Sequence, residues 1–184
     1  MADLGLELVA KSPCAGMLPM RIGKLVLSED AMCPLTLLMP YDGADAALST
    51  ALEKAHGVSL PAANESSSQG DVSAIWFGRG QVLLRGVPAD DALSATAALS
   101  DQSDAWTSVV LQGVGAEIVL SRLVPVDLRI ATFPIGQTAR TLVGHMNGSV
   151  TRISADSFRV MVFRSMAQSL VHEFKDAMET VAAQ

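Results

Sequence analysis

Two glycines in the middle of the chain stand where a nucleotide-binding turn would place them. The segment 106–123, WTSVVLQGVGAEIVLSRL, reads as a strand, a turn with Gly113 and Gly115, and a helix. A dinucleotide fingerprint needs three glycines spaced G-x-G-x-x-G, and here Ile118 takes the place of the third. The sequence also lacks the Gly-Lys-Ser/Thr of a phosphate-binding loop, and Glu117 near the helix start would repel a phosphate. We therefore predict a hinge between strand and helix rather than a phosphate cradle.

The three histidines do not form the constellations that a metal or an acid–base site needs. His56 precedes Gly57 at a predicted helix end, where an imidazole meets the helix dipole favourably. His172 lies on the last predicted helix, and His145 ends a predicted strand, a position more typical of a site. None of them has a second ligand at metal spacing, so we expect no metal-binding residue in this chain.

Acidic and sulfur-containing side chains also occur without the partners that chemistry requires. The acidic residues come in neighbouring sets: Glu29 with Asp30, Asp90 with Asp91, and Asp101 with Asp104. No histidine is placed to complete a serine triad with them. Cys14 and Cys33 lie far from any Cys-x-x-Cys pattern, which favours a reduced protein without zinc. We expect no catalytic and no cofactor-binding residue in this chain.

Charge and hydropathy exclude two classes of partner. The formal net charge over 184 residues is -6, without a run of Lys and Arg, whereas nucleic-acid binders carry a basic face. Aromatic residues, at 4%, are too few for a base-stacking platform. No apolar stretch approaches the ~20 residues of a membrane helix, and Asp3 and Glu7 stand where a signal peptide would carry basic residues. We expect a cytoplasmic protein that binds neither nucleic acid nor membrane.

The elements that position these residues form an N-terminal arm and two similar halves. Residues 1–33 are predicted to be an extended arm, with 21–27 (RIGKLVL) as an edge strand, that lies on another surface such as a partner chain. Residues 34–100 and 101–184 are predicted as the two halves of one compact body. A mean hydropathy of +0.34 is high for a soluble chain and favours buried contact with other subunits.

Each half is predicted to contain a strand, a helix, a hairpin and a second helix. In the first half these are a strand at 34–40, a helix at 41–57, a Ser-rich loop at 64–71, a hairpin of 74–78 and 81–86, and a helix at 89–100. In the second half they are strands at 106–113, 140–146, 149–154 and 158–163 and helices at 115–124 and 165–183, with a tight turn at 147–148. On the last helix the apolar residues at intervals of four are predicted to line one face: Met166, Leu170, Phe174 and Met178. This order predicts an α+β protein made of duplicated split β-α-β, ferredoxin-like halves.

From Asp101 to its end the sequence resembles the gamma subunit of heterotetrameric sarcosine oxidase. The stretches that carry the resemblance are DQSDAWTSVVLQG, GAEIVLSRLVPVDL, GQTARTLVGHM and above all DSFRVMVFRSMAQSLVHEF, with AIWFGRGQVLLRG as a looser match. This family is distantly similar to the folate-binding T-protein (aminomethyltransferase), which implies a T-protein-like architecture and agrees with the duplicated fold. T-proteins carry an acidic pair where this chain has Ser149-Val150-Thr151, which argues against folate chemistry by the chain itself.

The resemblance implies a non-catalytic structural subunit of an enzyme that oxidatively demethylates sarcosine to glycine. It implies partners, the alpha and beta subunits, with delta in the same complex, and it places FAD, FMN, NAD, tetrahydrofolate and zinc in those other subunits. Hydrogen peroxide is the implied product, and tetrahydrofolate the acceptor of the one-carbon unit. In the most family-like stretch, VFRSMA, the candidate interface residues are Phe163, Arg164 and Met166.

The sequence leaves two alternatives open. One chain of the N-methylglutamate dehydrogenase complex is similar enough that this protein is also a candidate for membership of that complex. The protein is also a candidate for a stand-alone folate- or anion-binding module, in which arginines would meet a polyglutamate tail. The arginines that could serve that role are Arg129, Arg140, Arg152 and Arg164.

Overall fold

A computed structural model describes residues 11–184 of the chain. The strands in this range are β1 (Met20–Ile22), β2 (Leu25–Glu29), β3 (Leu35–Pro40), β4 (Ser66–Gln69), β5 (Val72–Gly78), β6 (Gln81–Arg85), β7 (Ala97–Asp101), β8 (Trp106–Gln112), β9 (Thr138–Val143), β10 (Met146–Ser154) and β11 (Ser157–Phe163). The α-helices are α1 (Asp45–His56), α2 (Ala116–Leu120) and α3 (Ala167–Ala182), and short 3-10 helices lie at Asp91–Ala95 and Arg164–Met166.

The two sheets repeat one strand order, which confirms the predicted duplicated α+β fold. The first sheet runs β4-β5-β6-β3-β7, and the second runs β9-β10-β11-β8-β2 with β1 outside β2. All neighbouring strands are antiparallel. In each half a helix, α1 or α2, follows the strand that starts the unit, β3 or β8. This is the strand order of a ferredoxin-like sheet with one strand added at its edge.

The central hairpins of the two halves match in detail. The β5–β6 pair closes at Gly78 opposite Gln81, and the β10–β11 pair closes at Ser154 opposite Ser157. The register shifts by one residue at the same distance from both turns, just before Gly78 and just before Ser154. A β-bulge of this kind is a specific backbone feature, so its repetition supports duplication independently of strand order.

The N-terminal segment completes the second sheet instead of forming a separate arm. Residues 20–29 make the β1–β2 hairpin, and β2 pairs with β8, where the first half has β7 paired with β3. The predicted extended arm is therefore wrong for residues 11–33, and the single edge strand predicted at 21–27 is a hairpin. Residues 1–10 lie outside the described residues.

Helices cover the outer face of each sheet, and the inner faces meet. On the second sheet, α3 buries Leu170, Phe174 and Met178 completely. Such burial stabilises the fold by roughly 1.5–3 kcal/mol for each large side chain. The residues that join the inner faces of both sheets in one apolar cluster are Leu35, Phe77, Leu83, Trp106 and Met161.

One member of the predicted helical stripe does not belong to it. Met166 precedes the first residue of α3 and leaves 42% of its surface exposed, whereas Leu170, Phe174 and Met178 are buried. The spacing of four extends the stripe one turn too far, because the chain forms a 3-10 turn at 164–166 before the α-helix begins. Met166 is therefore available at the surface.

Three local predictions are wrong, because strand pairing overrides the signals of composition and turn residues. The Ser-rich segment 64–71 contains β4, which pairs with β5. The segment 89–100 is a 3-10 turn followed by β7, which pairs with β3. The turn predicted at 147–148 lies inside β10, and the chain turns instead at Gly144, where φ is +57°. Gly148 is needed for close strand approach, since a Cβ there would lie 2.8 Å from the Met161 carbonyl oxygen.

Gly113 and Gly115 form the turn from β8 to α2, as predicted. Their φ angles are +118° and +99°, which side chains rarely adopt. A Cβ on Gly113 would press on the carbonyl of Lys24 in the β1–β2 turn. The backbone N–H of Gly113 donates to the Asp156 carbonyl, and that of Ala116 donates to the Gly113 carbonyl. Gly113 therefore lets the N-terminal hairpin approach the second half.

This close approach predicts a position-specific loss of stability. Gly113→Ala should lower the free energy of unfolding by about 3 kcal/mol or more, because the backbone must move in addition to adopting a strained φ. The matched control is Gly80→Ala, with φ +66° and open space around the new Cβ, which should cost about 1–2 kcal/mol. Urea unfolding of both variants measures the difference, and equal losses would contradict the proposed contact with Lys24.

Candidate functional site

A group of buried charges joins the two sheets at one end of their shared interface. The Asp30 Oδ2 accepts a hydrogen bond of 2.7 Å from Nε of Arg159 and lies 2.8 Å from Nη2 of Arg85. The Ser108 hydroxyl donates to the same oxygen at 3.1 Å. We call Asp30, Arg85 and Arg159 the junction cluster. Its charges come from the N-terminal segment, from β6 and from β11, so it ties three parts of the chain together.

Strand pairing places each member of the junction cluster. Asp30 follows β2, and its N–H donates to the Ser108 carbonyl, which extends the pairing of β2 with β8. Arg85 ends β6 opposite Ser73, and its Nη1 donates to the Asp71 carbonyl. Because side chains alternate between faces along a strand, Arg159 shares its face of β11 with Met161 of the inner apolar cluster. The junction cluster thus lies between the inner faces of the two sheets, next to the apolar cluster.

The arginines keep the Asp30 carboxylate ionised. Burial by itself would raise the pKa of this carboxyl, but the charges of Arg159 and Arg85, with hydrogen bonds from Arg159 and Ser108, hold the pKa below its usual value of 3.8. The side chains of Asp30 and Arg85 are only 12% and 8% exposed. Removing one partner from a buried ion pair leaves an uncompensated charge, which is strongly destabilising.

A polar cleft of about 560 Å³ opens beside the junction cluster. On the first sheet, Ser73 pairs across the strands with both Ser68 and Arg85. A row on the second sheet consists of Thr138, Thr151 and Arg159. Both rows border the cleft through Ser68, Ser73, Arg85, Thr151 and Arg159. Two hydroxyl-bearing rows, each ending in an arginine, therefore contribute to the same cavity.

The opposite end of the interface is aromatic. The Trp106 ring lies edge-on to Phe77 at 4.8 Å and stacks on Phe163 at 4.6 Å between ring centroids. The Arg140 guanidinium lies 4.3 Å from the Phe77 centroid and 5.1 Å from that of Trp106, and its burial lowers the Arg140 pKa. We call Phe77, Trp106, Phe163 and Arg140 the aromatic patch. It reaches the surface through Phe163, which is 46% exposed.

The candidate interface residues lie together beside this patch. Phe163 ends β11, and Arg164 and Met166 are in the 3-10 turn that follows it. Arg164 donates from Nη2 to the Lys11 carbonyl at 2.8 Å and lies 3.7 Å from the exposed Asp104 carboxylate. Phe163 and Met166 expose 46% and 42% of their surfaces. The structure therefore brings two exposed apolar side chains and one half-exposed guanidinium together.

The arginines that could hold an anionic tail do not converge. Arg152 is 1% exposed and donates to the carbonyls of Phe133, Leu128 and Ala155 and to the Glu117 carboxylate. These bonds hold the loop after α2 against the sheet. Arg129 pairs with Asp127 at the surface, while Arg140 and Arg164 border different depressions. Arg152 consequently has a structural role, and the four do not make a single site.

Within the described residues, His56, His172 and the Asp90–Asp91 pair serve local structure. His56 Nε2 accepts from the backbone N–H of Asp90, and the Asp90 carboxylate accepts from that of Ala92. His172 forms an exposed pair with Asp176 at 3.5 Å, and His145 lies exposed in the turn before β10. Glu29 and Asp104 reach residues farther away in the sequence, Ser12 and Arg164. Asp30 differs from both, because it pairs with two arginines between the sheets.

Sequence reasoning does not find the junction cluster. In the sequence Asp30 resembles a turn residue beside Glu29, and neither Arg85 nor Arg159 stands in a recognisable motif. One signal is present: both arginines occur in otherwise apolar strands, QVLLR and SFRVMVF. A charge on the buried face of a strand requires a partner, but sequence spacing alone does not identify Asp30 as that partner.

The fold is shared with a solved oxidase. A chain of heterotetrameric sarcosine oxidase from Corynebacterium sp. U-96, in complex with pyrrole 2-carboxylate, matches with a TM-score of 0.81 and 24% identity, over 95% of this chain and 97% of that chain. At this identity the likeness shows a common fold. The regulatory subunit of aspartate kinase from Thermus thermophilus matches over 82% of this chain with a TM-score of only 0.38, which carries no structural argument. No protein-family model and no curated protein matches the sequence.

No helix within residues 11–184 is both long enough and apolar enough to span a bilayer.

The junction cluster predicts both a loss of stability and a change in its pH dependence. Because the Asp30 pKa is lowered in the folded state, its carboxylate stabilises the fold above pH 3.8, and this contribution is lost as the pH falls towards the folded-state value. Asp30→Asn should cost about 3 kcal/mol at neutral pH. It should also make unfolding less sensitive to pH below 4 than in the unmodified chain.

The control for this prediction is Asp176→Asn, at an exposed position on α3. It should leave both the thermal midpoint and its pH dependence nearly unchanged. Thermal unfolding followed by circular dichroism between pH 3 and pH 7 measures both variants. If Asp30→Asn leaves the thermal midpoint nearly unchanged, the two arginines do not need this carboxylate.

Proposed function

We propose that this chain is a non-catalytic structural subunit of a heterotetrameric sarcosine oxidase, equivalent to its gamma subunit. The observation that carries the proposal is the match along nearly the whole length of both chains, 95% and 97%, to a chain of such an oxidase. The family resemblance from Asp101 onwards supports it independently, since it rests on sequence motifs rather than on backbone shape.

The aromatic patch supports a docking role. Phe163 and Met166 are large apolar side chains exposed close together in the stretch most similar to the gamma subunit. Such side chains form the buried centre of protein interfaces, with arginine frequent beside them. In addition, Nε1 of Trp106 and Nη1 of Arg140 are buried without hydrogen-bond partners in the described part of the chain. A partner chain that supplied acceptors would remove this cost.

In this proposal the chemistry belongs to the other subunits. The alpha, beta and delta chains hold FAD, FMN, NAD, tetrahydrofolate and zinc, and the complex converts sarcosine to glycine and peroxide in the cytoplasm. This chain contributes a docking surface and a rigid support for the other subunits. The arrangement of its histidines and acidic residues in caps, turns and surface pairs supports that division of roles.

The test is a tagged purification from the native host grown on sarcosine, with an absorption spectrum of the eluate. We expect yellow material containing larger partner chains and producing peroxide from sarcosine. Turnover of N-methylglutamate instead of sarcosine would assign the chain to a different dehydrogenase complex. A colourless single chain would contradict the proposal and favour an independent binding module.

Substitutions of the candidate interface residues Phe163 and Arg164 should weaken assembly without unfolding the chain. Phe163→Ser and Arg164→Glu should each reduce co-purification of the partner chains at least about tenfold, as expected when a central interface residue is lost. Arg122→Glu, at an exposed position in the segment after α2, is the charge-matched control and should assemble normally.

Circular dichroism of the lone variants separates assembly from folding. Phe163 is half-exposed, so its loss should lower the thermal midpoint only slightly. Normal assembly of both the Phe163 and the Arg164 variant would show that the partner docks elsewhere on this chain.

A further inference from the structure

The polar cleft at the junction cluster contains a buried group without a partner. Ser73 is 4% exposed, and its hydroxyl has no hydrogen-bond partner within residues 11–184. It lies on the strand opposite Arg85 and borders the cleft. Buried hydroxyls are normally satisfied, because an unpaired one carries the cost of its desolvation. This hydroxyl is therefore positioned for a ligand in the cleft.

The arginines of the cleft retain unused binding capacity. Both terminal nitrogens of Arg85 already have partners: Nη2 pairs with the Asp30 carboxylate, and Nη1 donates to the Asp71 carbonyl. Among the hydrogen bonds of the described chain Arg159 uses its Nε alone, and it borders the cleft. The terminal nitrogens of a guanidinium form a planar fork that matches a carboxylate. Arg159 can thus hold Asp30 with Nε and a second carboxylate with its terminal nitrogens.

Charge balance favours a ligand with a single negative charge. The positive charges of Arg85 and Arg159 against the one carboxylate of Asp30 leave one positive charge uncompensated. Arg152, which also borders the cleft, is neutralised by Glu117 at 2.8 Å. Asp71 also borders the cleft, but the residue is exposed, so water screens its charge, and its carbonyl already accepts from Arg85. A doubly charged phosphate would be repelled by Asp30, whereas one carboxylate balances the site.

The remaining walls suit a small organic body. Next to the charged end the cleft is bordered by Ile75, Ile135 and Ile153, and its volume of about 560 Å³ lies in the range of small-molecule sites. We propose that this cleft binds a small organic monocarboxylate, with Arg159 and Ser73 holding the carboxylate and the isoleucines packing against the rest. This site goes beyond the proposed scaffold function, which assigns no ligand to the chain.

Benzoate is a suitable probe because benzamide offers a neutral molecule of nearly the same shape. Isothermal titration calorimetry of the full chain should show saturable binding of one benzoate and much weaker binding of benzamide. Ser73→Ala should weaken benzoate binding roughly tenfold, the loss of one hydrogen bond to a charged group. Arg159→Lys should weaken it by a similar factor, because an ammonium can still pair with Asp30 but lacks the planar fork.

The controls make the same changes of residue type at positions outside the cleft. Ser169→Ala on the exposed face of α3 and Arg122→Lys after α2 should bind benzoate as the unmodified chain does. Ser73→Ala introduces no charge and no larger side chain, so it should fold even if Arg159→Lys does not. The proposal is overturned by absence of saturable benzoate binding, by equal binding of benzamide or phosphate, or by unchanged binding to Ser73→Ala.

Discussion

The ion pairs of Asp30 with Arg85 and Arg159 are the constraint to which the rest of the molecule conforms. Two guanidinium groups on the inner faces of two sheets cannot be buried without an anion, and the anion comes from the segment that precedes both halves. That segment must therefore return across the second half, which it does as β2, paired with β8. The turn at Gly113 leaves room for the return by lacking a side chain against Lys24. Strand order, turn geometry and charge pairing consequently depend on one another.

Duplication explains the two sheets but not the charges between them. When the central hairpins are aligned at their turns and bulges, Arg159 of β11 corresponds to Leu83 of β6, and Arg85 corresponds to Met161. Leu83 and Met161 meet in the inner apolar cluster. Each half therefore has one arginine at a position where the other half has an apolar residue. As a result, one end of the interface between the sheets is charged, and the other end is apolar. The polar cleft is a difference between the halves rather than a repeated feature.

The sequence predicted those elements whose signals are local. The hairpin across Arg79-Gly80 and the helix that buries Leu170, Phe174 and Met178 have strong local patterns, and both are present. The strand β4 consists of serines and glutamine, and it exists because β5 offers an edge to pair with. Likewise, the contribution of β2 to the second sheet and the pairing of Asp30 with Arg159 join residues far apart in sequence. Composition and spacing predict that a buried arginine needs a partner, but not which residue supplies it.

One strand links the two candidate surfaces. Arg159, Met161 and Phe163 alternate onto the same face of β11 and belong in turn to the cleft, the apolar core and the aromatic patch. Four residues of strand span about 13 Å, so a ligand at one end would not touch a partner at the other. Coupling over that distance would require an element with two arrangements, and β11 is paired on both sides, with β8 and β10. Met161 fixes the register of β11 further, because a shift of the strand by one residue would move this side chain to the other face of the sheet. Ligand binding in the cleft and docking of a partner at the patch are therefore expected to be energetically separate properties carried by one rigid strand.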